Sequence, residues 1–149
     1  MQRRAFLLTA IAALLASAVP PAIRRVMMRI RSIRPDGHAF AQACEVSDAK
    51  RLLFVSGQVP QADDGTVPPY YRSQYLLAWR NVESQLKEAG MTFDNLVKAT
   101  IFLSDRGLIA QSEGLRKQVL GERNPAITII LCGIYHEAWL LEIEAVAAA

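Results

Sequence analysis

Glu142 and Glu144 stand two residues apart in the segment Leu141-Glu142-Ile143-Glu144-Ala145. Alternate residues of a strand point to opposite faces, so both carboxylates share one face while Leu141, Ile143 and Ala145 share the other. Two carboxylates on one face suit acid–base chemistry, and ion pairing is their commoner use. A second polar group closes the apolar run Leu52-Leu53-Phe54-Val55 at Ser56-Gly57-Gln58. The run reads as a buried strand ending in a turn. Glycine at that point lets the backbone approach another group closely, and Ser56 and Gln58 add a hydroxyl and an amide.

The other reactive residue types are sparse. His38 and His136 are single histidines in loops, where a surface or hydrogen-bonding role outweighs catalysis. Cys44 and Cys132 lie in apolar, strand-like segments without Cys or His at metal-ligand spacing, and read as core thiols. Whether they pair is left open by the sequence.

With 149 residues, 52% of them hydrophobic, the chain has enough material for one domain with a real core and hardly for two. Its formal charge of +3 is unevenly spread. Seven of the 17 Lys and Arg precede residue 35, and all 14 Asp and Glu follow it, which leaves the body near −4. A phosphate backbone needs a basic face, so nucleic acid is not an expected partner.

The basic front belongs to a separate segment. Residues 1–22 carry Arg3-Arg4, an apolar run from Ala5 to Leu15, and the small residues Ala16-Ser17-Ala18. That order is a signal peptide's, and Arg3-Arg4-Ala5-Phe6-Leu7 resembles the twin-arginine export signal. The run is too short to span a bilayer stably, and Pro20-Pro21 interrupts it. The expectation is a leader over residues 1–26, with the protein exported or periplasmic. If translation starts at Met27 or Met28 instead, those residues are an untranslated extension and the protein is cytoplasmic. Either way one domain fills residues 27–149.

Within that domain, Arg29 to Arg34 alternates like a half-exposed strand, and Ala39 to Val46 is a second. The run at Leu52 makes a third, all three with hairpin-length connections. Tyr75, Trp79, Val82, Leu86 and Ala89 are spaced four, three, four and three, one face of a helix that Gly90 ends. Leu96 to Leu103 is a strand, Leu108 to Leu120 a second helix ending at Gly121, and Ala126 to Cys132 and Ala138 to Val146 are two more strands. The expected fold is α+β, β-β-β-α-β-α-β-β, a mixed six-stranded sheet with both helices on one face. The uncovered face carries too many large apolar groups for water, so a partner chain is expected over it.

Several pieces, taken together and in order, resemble the Rid family, also called YjgF/YER057c/UK114. They are Phe54-Val55-Ser56-Gly57-Gln58-Val59-Pro60, Asn81 with Leu86 and Ala89-Gly90, Val97 to Leu103 followed by Asp105, Pro125-Ala126, and Glu142 to Ala147. The resemblance runs from about Met28 to the end. It implies a chorismate-mutase-like fold and a homotrimer with a small-molecule cleft between neighbouring subunits. It also implies hydrolysis of reactive enamines and imines to 2-oxo acids and ammonia, with no metal or organic cofactor. Such chemistry needs a cation for the substrate carboxylate, a group that places water, and a cleft that keeps solvent out.

Carried over by position, Glu142 matches the glutamate that holds the attacking water. Ser56 and Gly57 match the cleft-lining turn, and Pro125, Ala126 and Thr128 fall in the substrate-binding segment. Between them Ile127 stands where active members have an arginine, and isoleucine cannot grip a carboxylate. Phe40 replaces a cleft tyrosine, and Glu113 stands where an asparagine is common. Tyr135 and His136, ahead of the glutamate strand, are within reach of a cleft mouth. Two functions follow. One is a divergent deaminase, weak or inactive on carboxylate-bearing imines unless Arg116 or Arg123 restores the grip. The other is a noncatalytic trimer that binds a small uncharged or weakly polar ligand. Ribonuclease activity, also described in the family, sits badly with the acidic body.

Overall fold

A computed structural model describes residues 27–149; the leader read over residues 1–26 lies outside them. The element order is β1 (Arg29–Pro35), β2 (Ala41–Ser47), β3 (Leu52–Gln58), α1 (Tyr71–Glu88), β4 (Leu96–Leu103), α2 (Ile109–Leu120), β5 (Ala126–Leu131) and β6 (Leu141–Ala148). Short 3-10 turns at Phe93–Asn95 and Arg106–Leu108 precede β4 and α2. Six strands form one mixed sheet in the order β1-β2-β5-β4-β6-β3.

The sheet is held together from its middle. β4 pairs with β5 in parallel and with β6 antiparallel. A parallel neighbour needs a crossover, and α2 supplies it between β4 and β5. Irregular pairing between Leu96 and Lys98 shifts the alternation of β4, so that Leu96, Ala99, Ile101 and Leu103 are all buried. From β6, Leu141, Ile143, Ala145 and Ala147 join them. Tyr75, Trp79, Val82 and Leu86 of α1 close the core from one side, as their spacing requires. The chain leaves α1 through Gly90 at φ 68°, and Met91 N–H donates to Leu86 O at 2.8 Å, a Schellman ending.

Three local expectations give way. β3 pairs with β6 at the far edge of the sheet, not with β2, so only β1 and β2 make the anticipated hairpin. At that edge β3 is half exposed: Val55 is buried, but Phe54 keeps 73% of its surface and Leu52 59%. β5 and β6, although consecutive in the chain, do not pair, because β4 lies between them. The cysteines are not core thiols either. Cys132 is exposed beyond the end of β5, Cys44 is half buried, and both are free. No helix of the described residues is long and apolar enough to cross a membrane.

Candidate functional site

The alternation of β6 places its carboxylates on the face away from the helices: Leu141, Ile143 and Ala145 are buried, while Glu142 is half buried and Glu144 exposed. Opposite Glu142 on β4 is Phe102, and opposite Glu144 is Thr100. The anticipated turn at Ser56-Gly57 is a bulge within β3. Val55 pairs with Ala145 and Gln58 with Ile143, so β3 spends one residue more than β6 over that stretch. The bulge lays the Gly57 backbone directly over the Glu142 side chain. A Cβ on Gly57 would fall inside the carboxylate, 2.6 Å from its carboxyl carbon and 2.9 Å from Cγ. Any larger residue at this position would displace the carboxylate from its place beside the strand edge.

Side chains from α1 pin this edge. Asn81 Nδ2 donates to Val59 O at 2.8 Å and Gln61 O at 3.0 Å, tying the segment after β3 to the helix. Gln58 Nε2 donates to Ser56 O at 3.0 Å across the bulge. Beside Gly57 opens a polar depression of about 450 Å³, lined with the amides of Gln58, Gln61, Asn81 and Gln85. A second, of about 330 Å³, lies on the open face among Phe54, Ser56, Lys98, Thr100 and Glu144.

Lys98 is the residue that sequence reasoning passed over. It points from β4 to the open face and donates to Thr128 Oγ1 and, at 3.3 Å, to Ala99 O. Burial pushes its ammonium below the usual lysine range, and the nearby Glu144 carboxylate partly offsets that. Its position within the strand's apolar alternation was the available signal.

The remaining candidates gather elsewhere. Phe40 N–H donates to Asn124 Oδ1 at 3.2 Å and Ala41 N–H to Pro125 O at 2.9 Å, which joins Phe40 to Pro125 and Ala126 where β2 meets β5. On the adjoining α2, Glu113 Oε1 lies 2.6 Å from His38 Nδ1, with both side chains more than half exposed. Ile127 pairs in register with Ala99 and packs against the helix-side core. Thr128 pairs with Thr100 and faces the other way. Within one chain, therefore, Glu142 and Ile127 lie on opposite faces of the sheet and cannot share a pocket. One chain carries two separate groups, Ser56-Gly57-Glu142 at the β3 edge and Phe40-Glu113-Ile127 beside β2.

The two arginines considered as replacements are engaged elsewhere in the chain. Arg116 is buried and its Nε donates to His38 O at 3.0 Å. Arg123 Nε donates to Asp94 Oδ1 at 2.6 Å, and its Nη1 to Leu120 O at 3.3 Å. Tyr135 is 94% exposed, and with His136 it lies against the Trp139 ring in the loop before β6. Among the described residues no group of three or more His, Cys, Asp or Glu is arranged to hold a metal ion.

Comparison with known proteins agrees with this frame. The family model described as Endoribonuclease L-PSP matches residues 34–149. RutC family protein YjgH of Escherichia coli K12 is 41% identical over 68 residues, 46% of this chain and 50% of that protein, so the match spans half of that relative's length. The Rid family protein YyfB of Yersinia pestis has the same fold, with a TM-score of 0.71 at 22% identity over 80% of this chain and 98% of its own. Escherichia coli TdcF, solved with bound serine, superposes with a TM-score of 0.64 at 26% identity, over 74% of this chain and 87% of its own. TdcF carries the words reactive intermediate deaminase in its name. The chain belongs to the Rid/YjgF family.

Proposed function

We propose that this chain is a Rid-family protein whose site forms between neighbouring copies, related to imine and enamine deaminases but weak or inactive on imines that carry a carboxylate. The observation that carries the reading is the fit of Gly57 against the Glu142 carboxylate. A half-buried carboxylate at a sheet edge, held against the Gly57 backbone, can orient a water for attack on a C=N carbon. Hydrolysis then adds that water across the carbon–nitrogen bond and releases ammonia, leaving a carbonyl. The second half of the site, Phe40, Glu113 and Ile127 with Pro125 and Ala126, comes in this reading from another copy. A homotrimer of the kind the resemblance implies would bring the halves together.

In the assembled site Ile127 offers the substrate carboxylate nothing. Loss of a charge-assisted bidentate contact in a shielded site costs about 2 to 5 kcal/mol, or roughly 30-fold to several thousandfold in rate. Arg116 and Arg123 support a weak rather than a restored activity, since both already have partners within the chain. The alternative, a noncatalytic trimer for a small uncharged ligand, is favoured by the aliphatic Ile127 and the aromatic Phe40. One experiment separates them. The purified protein is mixed with a dehydratase that generates 2-iminobutanoate or 2-iminopropanoate, and oxo-acid release is timed with and without Ile127→Arg. A slow wild type that gains activity with arginine supports the divergent deaminase, whereas no activity in either supports the binding protein.

A further inference from the structure

We propose that Lys98 and Glu144 form an ion pair between neighbouring copies of this chain, fixing how the open sheet face is covered. The inference rests on the homo-oligomer of the reading above. The open face is apolar over much of its area: Phe54 keeps 73% of its surface and Ile130 41%, and both fall on that face by register with Val146 and Phe102. Water is a poor cover for such a surface.

Two opposite charges sit in its middle. Lys98 lies opposite Val146 and Glu144 opposite Thr100, so the two are diagonal neighbours across β4 and β6. They line the same depression of about 330 Å³ with Phe54, Ser56 and Thr100. Neither takes part in the ion pairs closed among the described residues, which join Arg31 to Glu45, His38 to Glu113, Lys87 to Glu83, Lys117 to Glu122 and Arg123 to Asp94. Lys98 is turned instead to Thr128 Oγ1.

Any partner that covers the apolar ring removes water from both charges, and a buried charge without a counter-ion is strongly unfavourable. A foreign partner would have to bring a matched carboxylate and ammonium. A second copy has them already, because each copy presents Lys98 and Glu144 as diagonal neighbours on this face, with Glu142 further along β6 at the β3 edge. In a closed ring, the Lys98 of one copy then meets the Glu144 of the next at every interface. A polar pair at one fixed place in an apolar interface selects a single register among many sliding ones. The pair adjoins the Ser56 edge, so the same register would set how the two halves of the candidate site face each other.

The test is the association state of the full chain by light scattering over a dilution series, with circular dichroism to check folding. Lys98→Glu and Glu144→Lys are each expected to weaken association by at least about tenfold in Kd, and the double exchange to restore it. Mixing the two single variants is expected to give more oligomer than either forms alone. An oligomeric wild type whose folded single variants associate equally well would overturn the pairing while leaving the shared site standing. Restoration by the double exchange without any gain on mixing would place the pair within one chain and also overturn it. A wild type that stays monomeric at all concentrations would sink the shared-site reading itself. Should the reversals fail to fold, Lys98→Met and Glu144→Gln take their place, each expected to weaken association singly; equal association of both with wild type would again refute the pairing.

Discussion

At the residue scale the chemistry narrows to one contact, the Glu142 carboxylate against the Gly57 backbone. Gly57→Ala forces a methyl group into the space of that carboxylate, and the strand or Glu142 must move. Because Glu142 is a flexible, half-buried side chain that can swing aside, the cost is expected to be at most about 1 kcal/mol. Chemical denaturation should record that loss, and any imine hydrolysis should fall with it. Glu142→Gln separates the two effects: it keeps the shape while removing the charge, so stability should change little and hydrolysis should be lost. If Glu142→Gln hydrolyses as well as wild type, the carboxylate is not the water-holding group.

At the element scale α1 supports the site edge, and its tyrosines report on its packing. Asn81 satisfies two loop carbonyls from one amide. Asn81→Ala removes both bonds, one part-buried at Val59 and one exposed at Gln61, at a cost of about 1 kcal/mol, and should loosen the segment after β3. Amide exchange that stays unchanged there would contradict that role. Burial raises the hydroxyl of Tyr71 to about 12, opposed in part by its hydrogen bond to Ser112, and pushes Tyr75 higher still. A folded tyrosine that holds its proton beyond the unfolded value near 10 binds more protons than the unfolded chain above that pH. Stability is therefore expected to fall as pH rises from about 10 towards 12, and the fall should be smaller in Tyr71→Phe. Denaturation midpoints across that range check the sign.

The same scale explains what could be read from the chain and what could not. The alternation about Glu142 identified the face of β6 directly, because a period of two is local. The spacing of Tyr75, Trp79, Val82 and Leu86 gave the buried side of α1 for the same reason. Strand order is not local: nothing in Leu52–Val55 distinguishes a central strand from an edge strand whose apolar side chains await another chain. Nor does Ile127 announce its face, which depends on the register of β5 against β4 across the intervening α2. The bulge at Gly57 was legible only as a glycine that some group must approach. Arg116, buried beneath His38, was hidden because a helical charge is ordinarily expected in water.

At the scale of the whole molecule, the body is acidic and the basic excess precedes residue 35. A phosphate polymer finds little attraction in such a body, so binding to RNA at moderate salt is expected to be undetectable by filter retention. The proposal that residues 1–26 direct export predicts a mature N-terminus at Val19 in intact-mass measurements; a chain beginning at Met28 would refute it. Register puts Glu142 and Ile127 on opposite faces of one sheet, and this bears on assembly. In the proposed shared site, the neighbouring copy is what brings Phe40, Glu113 and Ile127 to the Glu142 carboxylate.

The most direct measurement is the rate of 2-oxo acid release from 2-iminobutanoate by wild type, Ile127→Arg and Ile127→Arg with Glu142→Gln. A wild-type rate about 30-fold or more below that of an arginine-bearing relative is expected, rising in the single variant and abolished in the double. Wild type matching the relative, or a double variant as fast as the single one, would contradict a site that keeps its carboxylate and lacks its cation.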